Sequence, residues 1–180
     1  MRKKIDVFEY AKEILDGVHR ATLVSSKDND KYNTMTIEWG TLGIEWNKPI
    51  FILFLRDHRH TKSIVDQTGE FTVNIALGDY DKKVVGYCGS NSGRNVDKFK
   101  EMNLHAVPGE KVEAPAIEEF PLTLECKVLY QQKQVGEWIP QEIRDVLYPQ
   151  DVDGYHPLCN RDFHTAYYGE IVNAYILEKD

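Results

Sequence analysis

Long apolar runs are missing from this 180-residue chain. The longest, Ile50 to Leu55, falls far short of the roughly 18 apolar residues a membrane-spanning helix needs, so no membrane helix is expected. Cysteine is scarce: Cys88, Cys126 and Cys159 are odd in number and widely spaced, as reduced thiols in a cytoplasmic protein would be. Positive charge is also in deficit. Twenty-two Lys and Arg against 29 Asp and Glu leave a net charge of -7, which speaks against a nucleic-acid partner, because phosphate neutralisation needs clustered cations. The basic start, Met1-Arg2-Lys3-Lys4, runs into Glu9, Lys12 and Glu13 where a secretory signal would be apolar, so no leader is expected. There is no Cys-x-x-Cys, His-Glu-x-x-His, Gly-x-Ser-x-Gly, Gly-x-Gly-x-x-Gly or P-loop. His58 and His60, and His156, Cys159 and His164, lack the spacing of a ligand set, and no metal is expected.

Core-forming residues are plentiful. Hydrophobic residues make up 42% of the chain and aromatics 11%, which excludes disorder and suits one domain spanning residues 1–180. Val7, Tyr10, Ala11, Ile14, Leu15 and Val18 recur at helical intervals, predicting an amphipathic helix over Asp6 to Val18, capped by Asp6 and ending at Gly17. Strand signals follow. Thr34 to Trp39 alternates, with Met35, Ile37 and Trp39 on one face. Ile50 to Leu55 suits a strand buried on both faces, and Phe71 to Ile75 and Leu122 to Tyr130 alternate again. Thr165 to Leu177 completes the set as a long last strand. Short helices are expected at Thr61 to Thr68, Asn95 to Met102 and Pro140 to Tyr148. Nothing repeats in a βαβ rhythm, so the expected fold is mostly β: an antiparallel barrel or sandwich with peripheral helices.

Two basic loops stand against the acidic background. Arg56-Asp57-His58-Arg59-His60-Thr61-Lys62 leaves a buried strand and enters a helix. Arg donors, a hydroxyl and free helix amides together are how a phosphate monoester is held. Ser92-Gly93-Arg94-Asn95-Val96-Asp97-Lys98 is a second turn leading into a helix. The pair serves an anionic ligand, or is simply two solvated loops. Thr34, Thr36 and Asn74 face away from the core; exposed Thr on a strand is ordinary, Asn is not. No side chain declares itself a reacting group, the pattern of a protein whose cofactor carries the chemistry.

Several segments, in order, resemble the flavin-reductase-like, FMN-binding split-barrel family that includes flavoredoxin. They are Asn33-Thr34-Met35-Thr36-Ile37-Glu38-Trp39-Gly40 with Trp46-Asn47-Lys48-Pro49, Leu55 to Thr61, Gly69 to Asn74, Cys88 to Phe99, Leu124-Glu125-Cys126, and Phe163-His164-Thr165 with Gly169-Glu170. The likeness runs from about Ala21 to Val172. It implies an antiparallel Greek-key split β-barrel that binds FMN, with NADH or NADPH as donor. It also implies a cytoplasmic homodimer with flavin near the subunit interface, serving small redox substrates or an electron-transfer protein. Asn33, Thr34, Met35, Thr36 and Trp39 would then meet the flavin ring, and Arg56, Arg59 and Thr61 its phosphate. Asn74, Ser92, Arg94, Lys98 and His164 complete the implied cofactor set, with Lys98 or His164 tuning the flavin. A long connection over 131–163 departs from the family pattern. From Glu137 to Asp180 there are three positive residues against nine negative, and this segment would either cap the flavin or form a surface excursion or dimer contact.

Overall fold

The computed structural model describes residues 1–20, 22–152 and 160–178. Its strands are β1 (Arg2–Lys4), β2 (Thr22–Asp28), β3 (Lys31–Ile37), β4 (Gly40–Glu45), β5 (Lys48–Arg56), β6 (Glu70–Ile75), β7 (Ala106–Val107), β8 (Ala116–Ile117), β9 (Leu122–Lys133) and β10 (His164–Leu177). The helices are α1 (Ala11–His19), α2 (His60–Thr68), α3 (Lys82–Ser90), α4 (Lys98–Glu101) and α5 (Gln141–Leu147). One sheet runs in the order β3-β2-β6-β9-β10-β5-β4, with β1 added to the end of β10, and every pairing is antiparallel. β3 and β4 are its unpaired edges. Side chains from strands along the whole path nevertheless meet in one core, among them Val24, Met35, Phe51, Leu53, Phe71, Leu124 and Tyr167. The sheet therefore curls into a barrel split between β3 and β4. Helix α1 lies against β4 on one side and β2 and β6 on the other, adding Ile14 and Val18 to that core.

Local chemistry explains the turns. Trp46 and Asn47 both take positive φ (51° and 57°), the two-residue loop that lets β4 return directly as β5 with Glu45 opposite Lys48. Asp6 does not cap α1: its side chain accepts from the Phe8 amide, holding a turn, and the helix begins later at Ala11. The helix expected from Asn95 likewise starts at Lys98, where Asp97 accepts from the Lys100 amide. Ile52 and Phe54 are only half-buried, so β5 alternates instead of being covered on both faces.

The outer face of β2, β3, β6 and β9 is not solvent. α3, α4 and the β7–β8 ribbon cover it through a second apolar cluster containing Leu23, Val84, Cys88, Ile117 and Phe120. Beneath that cover lies a polar layer. Asn74, fully buried, donates to Ser25 Oγ (3.1 Å) and Thr72 Oγ1 (3.0 Å) and accepts from Thr123 Oγ1 (3.3 Å). This corrects its expected place in the cofactor set: Asn74 is bonded within the layer and lines no cavity at the flavin-type motifs.

Gly169 sits where the β9–β10 register shifts. A Cβ there would meet the Phe71 ring at 2.6 Å and the Cys126 Cβ at 3.0 Å. Gly169→Ala is expected to destabilise by about 1–3 kcal/mol through overpacking. Gly43→Ala, with nothing within 4 Å of its added Cβ, should change stability by no more than about 0.5 kcal/mol. Urea unfolding of both variants checks this.

Candidate functional site

A cavity of about 510 Å³ opens where the sheet's outer cover ends. One wall is the end of β3, Met35 to Ile37, continuing through the Glu38–Trp39 connection. The facing wall is α3, which presents Val85, Gly86, Gly89 and Ser90. Four bonds hold the walls in place. Thr36 Oγ1 donates to Val85 O (2.6 Å), Arg59 Nη1 to Gly89 O (2.8 Å), and Lys98 Nζ to both Thr34 O (2.8 Å) and Cys88 O (2.7 Å). A Cβ at position 89 would come into ordinary contact with Thr36 Cβ at 3.4 Å, so α3 packs closely on β3 here.

The third wall comes from the 131–163 segment, which contributes Val146, Leu147, Pro149 and Asn160. Arg56, at the end of β5, fastens it to the barrel. Its guanidinium donates to Asn160 O (2.8 Å), Asp162 O (2.6 Å) and Leu147 O (3.0 Å), and lies 4.8 Å over the Tyr148 ring. Asp162 Oδ2 accepts from the His58 amide (3.0 Å) and faces His58 Nδ1 (2.8 Å). Burial would raise the Asp162 pKa, but its bonds with His58 outweigh that and hold it at about 2. Tyr148 OH joins His164 Nδ1 (2.9 Å), and the His164 ring packs 4.8 Å from that of Trp39. Burial first, and the Arg56 cation second, lower the His164 pKa to about 3, so this imidazole is neutral at ordinary pH.

The structure thus gathers Met35, Thr36, Trp39, Arg56, Arg59 and His164 around one cavity. It places four other expected residues behind the walls. Asn33, 7% exposed, donates to Thr61 Oγ1 (2.8 Å), and Thr34 lies in the polar layer. Lys98 is buried with its ammonium bonded to two carbonyls, and burial lowers its pKa to about 8. Ser92 and Arg94 stand outside the cavity: Ser92 Oγ accepts from the Arg94 amide, and Arg94 Nη1 donates to His58 O (3.1 Å). Arg56 holds the wall with three of its five N–H donors, which go to carbonyls of the 131–163 segment, while it also lines the cavity. Sequence reasoning missed Phe54, Val85, Gly86, Gly89, Leu147 and Asn160. Only the Cys88-Gly89 pair carried a local signal, as part of the family-like segment. His156 and Cys159 lie outside the described residues, and Cys88 and Cys126 are buried free thiols.

The fold and this cavity define a split-barrel protein with a polar, cation-bearing pocket. The flavin reductase like domain model matches residues 18–180, and the chain belongs to that family. An uncharacterized protein of Pyrococcus abyssi is 27% identical over 118 residues, spanning 66% of each chain, just under two thirds. The structure is similar to the flavoredoxin of Desulfovibrio vulgaris (Miyazaki F) at 26% identity and TM-score 0.65, covering 88% of this chain and 69% of that one. It also superposes on an FMN-binding domain of a flavin reductases-like enzyme from Shewanella baltica OS155 with TM-score 0.67. That match covers 98% of this chain and 77% of the other at 15% identity, a likeness of fold.

Arg56→Ala should release the 131–163 segment. Amide hydrogen exchange across 141–152 is expected to rise steeply, with a stability loss of about 1–3 kcal/mol from three carbonyls losing a charged donor. Unchanged exchange there would contradict the clamp. His164 gives a pH test. Its folded pKa lies below that of the unfolded chain, so the unfolded state takes up the extra proton. Stability is complete above about pH 6.5 and declines as pH falls towards 3. Ring-proton NMR should show His164 holding a constant neutral shift from pH 7.5 to 5.

Proposed function

We propose that this cavity binds FMN and that the chain is an oxidoreductase of the flavin-reductase type, drawing on NADH or NADPH and working as a homodimer. One observation carries the reading: the family's motif residues converge on a pocket with unmatched polar groups suited to a phosphorylated, hydrogen-bonding ring. Arg59 commits one guanidinium nitrogen to Gly89 O, and its other donors have no partner among the described residues. Asn160 Oδ1 is a buried acceptor, likewise without a partner there. The volume, about 510 Å³, falls in the usual range for ligand pockets. Bound FMN would supply hydride acceptance from a reduced nicotinamide and release of the electrons to an acceptor.

The chain's own groups divide the remaining work. Arg59 is the cation best placed to hold the phosphate, Met35 to Trp39 form the wall along the ring, and Asn160 accepts from a ring or ribityl donor. His164 contributes a neutral hydrogen-bonding ring, so it tunes the site by polarity and not by charge. Lys98 acts from behind β3, fixing α3 against Thr34.

A second reading, a flavoredoxin-like electron carrier without nicotinamide turnover, is favoured by the insertion. Arg56 clamps it so that Leu147 and Pro149 narrow the approach to the cavity. Visible absorption of the purified protein, followed by anaerobic NADH and NADPH, separates the two. Rapid bleaching names the donor, whereas flavin reduced only by dithionite indicates the carrier. Arg59→Ala should weaken FMN about tenfold or more while changing riboflavin little, because only FMN bears the phosphate. Equal losses for both ligands would remove Arg59 from the phosphate.

A further inference from the structure

Next to the proposed flavin cavity lies a separate groove of about 440 Å³, between α1 and the β3–β4 connection. The two share Glu38, Trp39 and Phe54 as walls. We infer that this groove is a second ligand subsite, taking a small, uncharged, planar carbonyl compound such as an aromatic ketone, an aromatic aldehyde or a quinone. The inference deepens the flavin reading and rests on it for its biological role, but the recognition itself is set by residues of the groove.

The apolar surface comes from Trp39, Phe54 and Leu15, two aromatic rings and a half-exposed aliphatic side chain on α1. Flat ring faces are what such walls bind best. The polar handle is Gln134. The His164 backbone N–H can only donate, and it donates to Gln134 Oε1 (3.1 Å), which fixes that atom as the oxygen. Tyr148 OH donates to the same oxygen (3.1 Å). The amide NH2 of Gln134 is thereby oriented and has no partner among the described residues, so a donor is presented to the groove for a ligand carbonyl.

Charge narrows the class further. Among the described residues no Lys or Arg lines the groove; Glu38 supplies a carboxylate, and His19 and Thr41 complete the polar rim. A dinucleotide's diphosphate would find no cation there, and a carboxylated ring would meet Glu38. A neutral ring seated in the groove would lie against the same Trp39 and Phe54 that wall the flavin cavity.

Isothermal titration of the FMN-loaded protein with acetophenone, and with 4-acetylbenzoate as its charged counterpart, tests the inference. Acetophenone should bind saturably, and 4-acetylbenzoate about tenfold more weakly. Gln134→Glu keeps the acceptor oxygen for Tyr148 and His164 but removes the donor, and should weaken acetophenone about fivefold or more. Leu15→Trp, on the exposed side of α1, should fill the groove and reduce affinity about tenfold or more. Absence of saturable acetophenone binding, or equal affinity in the parent and Leu15→Trp, would overturn the subsite. Flavin absorbance on the same samples keeps the two ideas apart. A protein that takes up no FMN sinks the flavin reading, while acetophenone binding that Leu15→Trp abolishes still upholds the groove.

Discussion

Burial of both faces of β2, β3, β6 and β9 is the constraint on which the rest of the molecule depends. The inner face is apolar and fills the barrel. The outer face carries Ser25, Thr34, Thr72, Asn74, Thr123 and Glu125, none of them reached by solvent. A buried polar group without a partner costs about 1–3 kcal/mol, so each must be bonded, and the covering elements are arranged to do it. Glu125 accepts the amides of Glu110 (2.8 Å) and Lys111 (2.6 Å), and Thr72 donates to Pro115 O (2.6 Å), which pins the 108–117 segment over the sheet. Lys98 and Thr36 do the same for α3. The cavity forms at the border of this arrangement, where β3 runs out from under its cover.

That constraint also explains what the sequence made legible. Strands with one apolar face, Phe71 to Ile75 and Leu122 onward, are readable because their alternation is local. β2 was not, because Ser25 and Ser26 interrupt its apolar pattern although both are fully buried. β4 was hidden by Gly40 and Gly43, and α3 by Gly86 and Gly89; Gly40 makes room for the Phe51 ring, whereas Gly43 and Gly86 stand in open space. The misplacement of Asn74 has the same origin. Its partner Ser25 is 49 residues away, as Thr34 is 64 from Lys98 and Asn160 is 104 from Arg56. No local pattern carries such pairings. The order of family-like segments pointed to residues of which six line one cavity, but could not say which of the cations there are taken up by carbonyls.

The cations sort themselves by what else they touch. Arg56 and Lys98 are held by carbonyls, Arg94 by His58 O, and Lys62 by Asp66 (2.8 Å) with Asp57 farther off (3.8 Å). Asp57 is exposed and bonded by Lys133 (2.6 Å), and Asp162 by His58, so neither carboxylate is left to neutralise the cavity. Of the acids near the cavity, Asp57 and Asp162 are bonded elsewhere, Glu38 stands exposed on the wall, and Arg59 keeps guanidinium donors without a partner among the described residues.

The placement of charges along the 131–163 segment bears on what it does at the cavity. Glu137, Glu142 and Asp145 are exposed on its solvent side, whereas the portion at the cavity is Val146, Leu147, Pro149 and Asn160. At physiological ionic strength, exposed charges are screened over about 8 Å, so the acidic residues act weakly on a ligand already in the cavity. Contact with the wall is not screened. The wall's position is set by Arg56, a buried residue of the barrel, and not by the insertion's own short helix. Under the proposed function, selection at this mouth is therefore a matter of shape imposed from the barrel, with the acidic surface contributing mainly to the approach of charged molecules from solution.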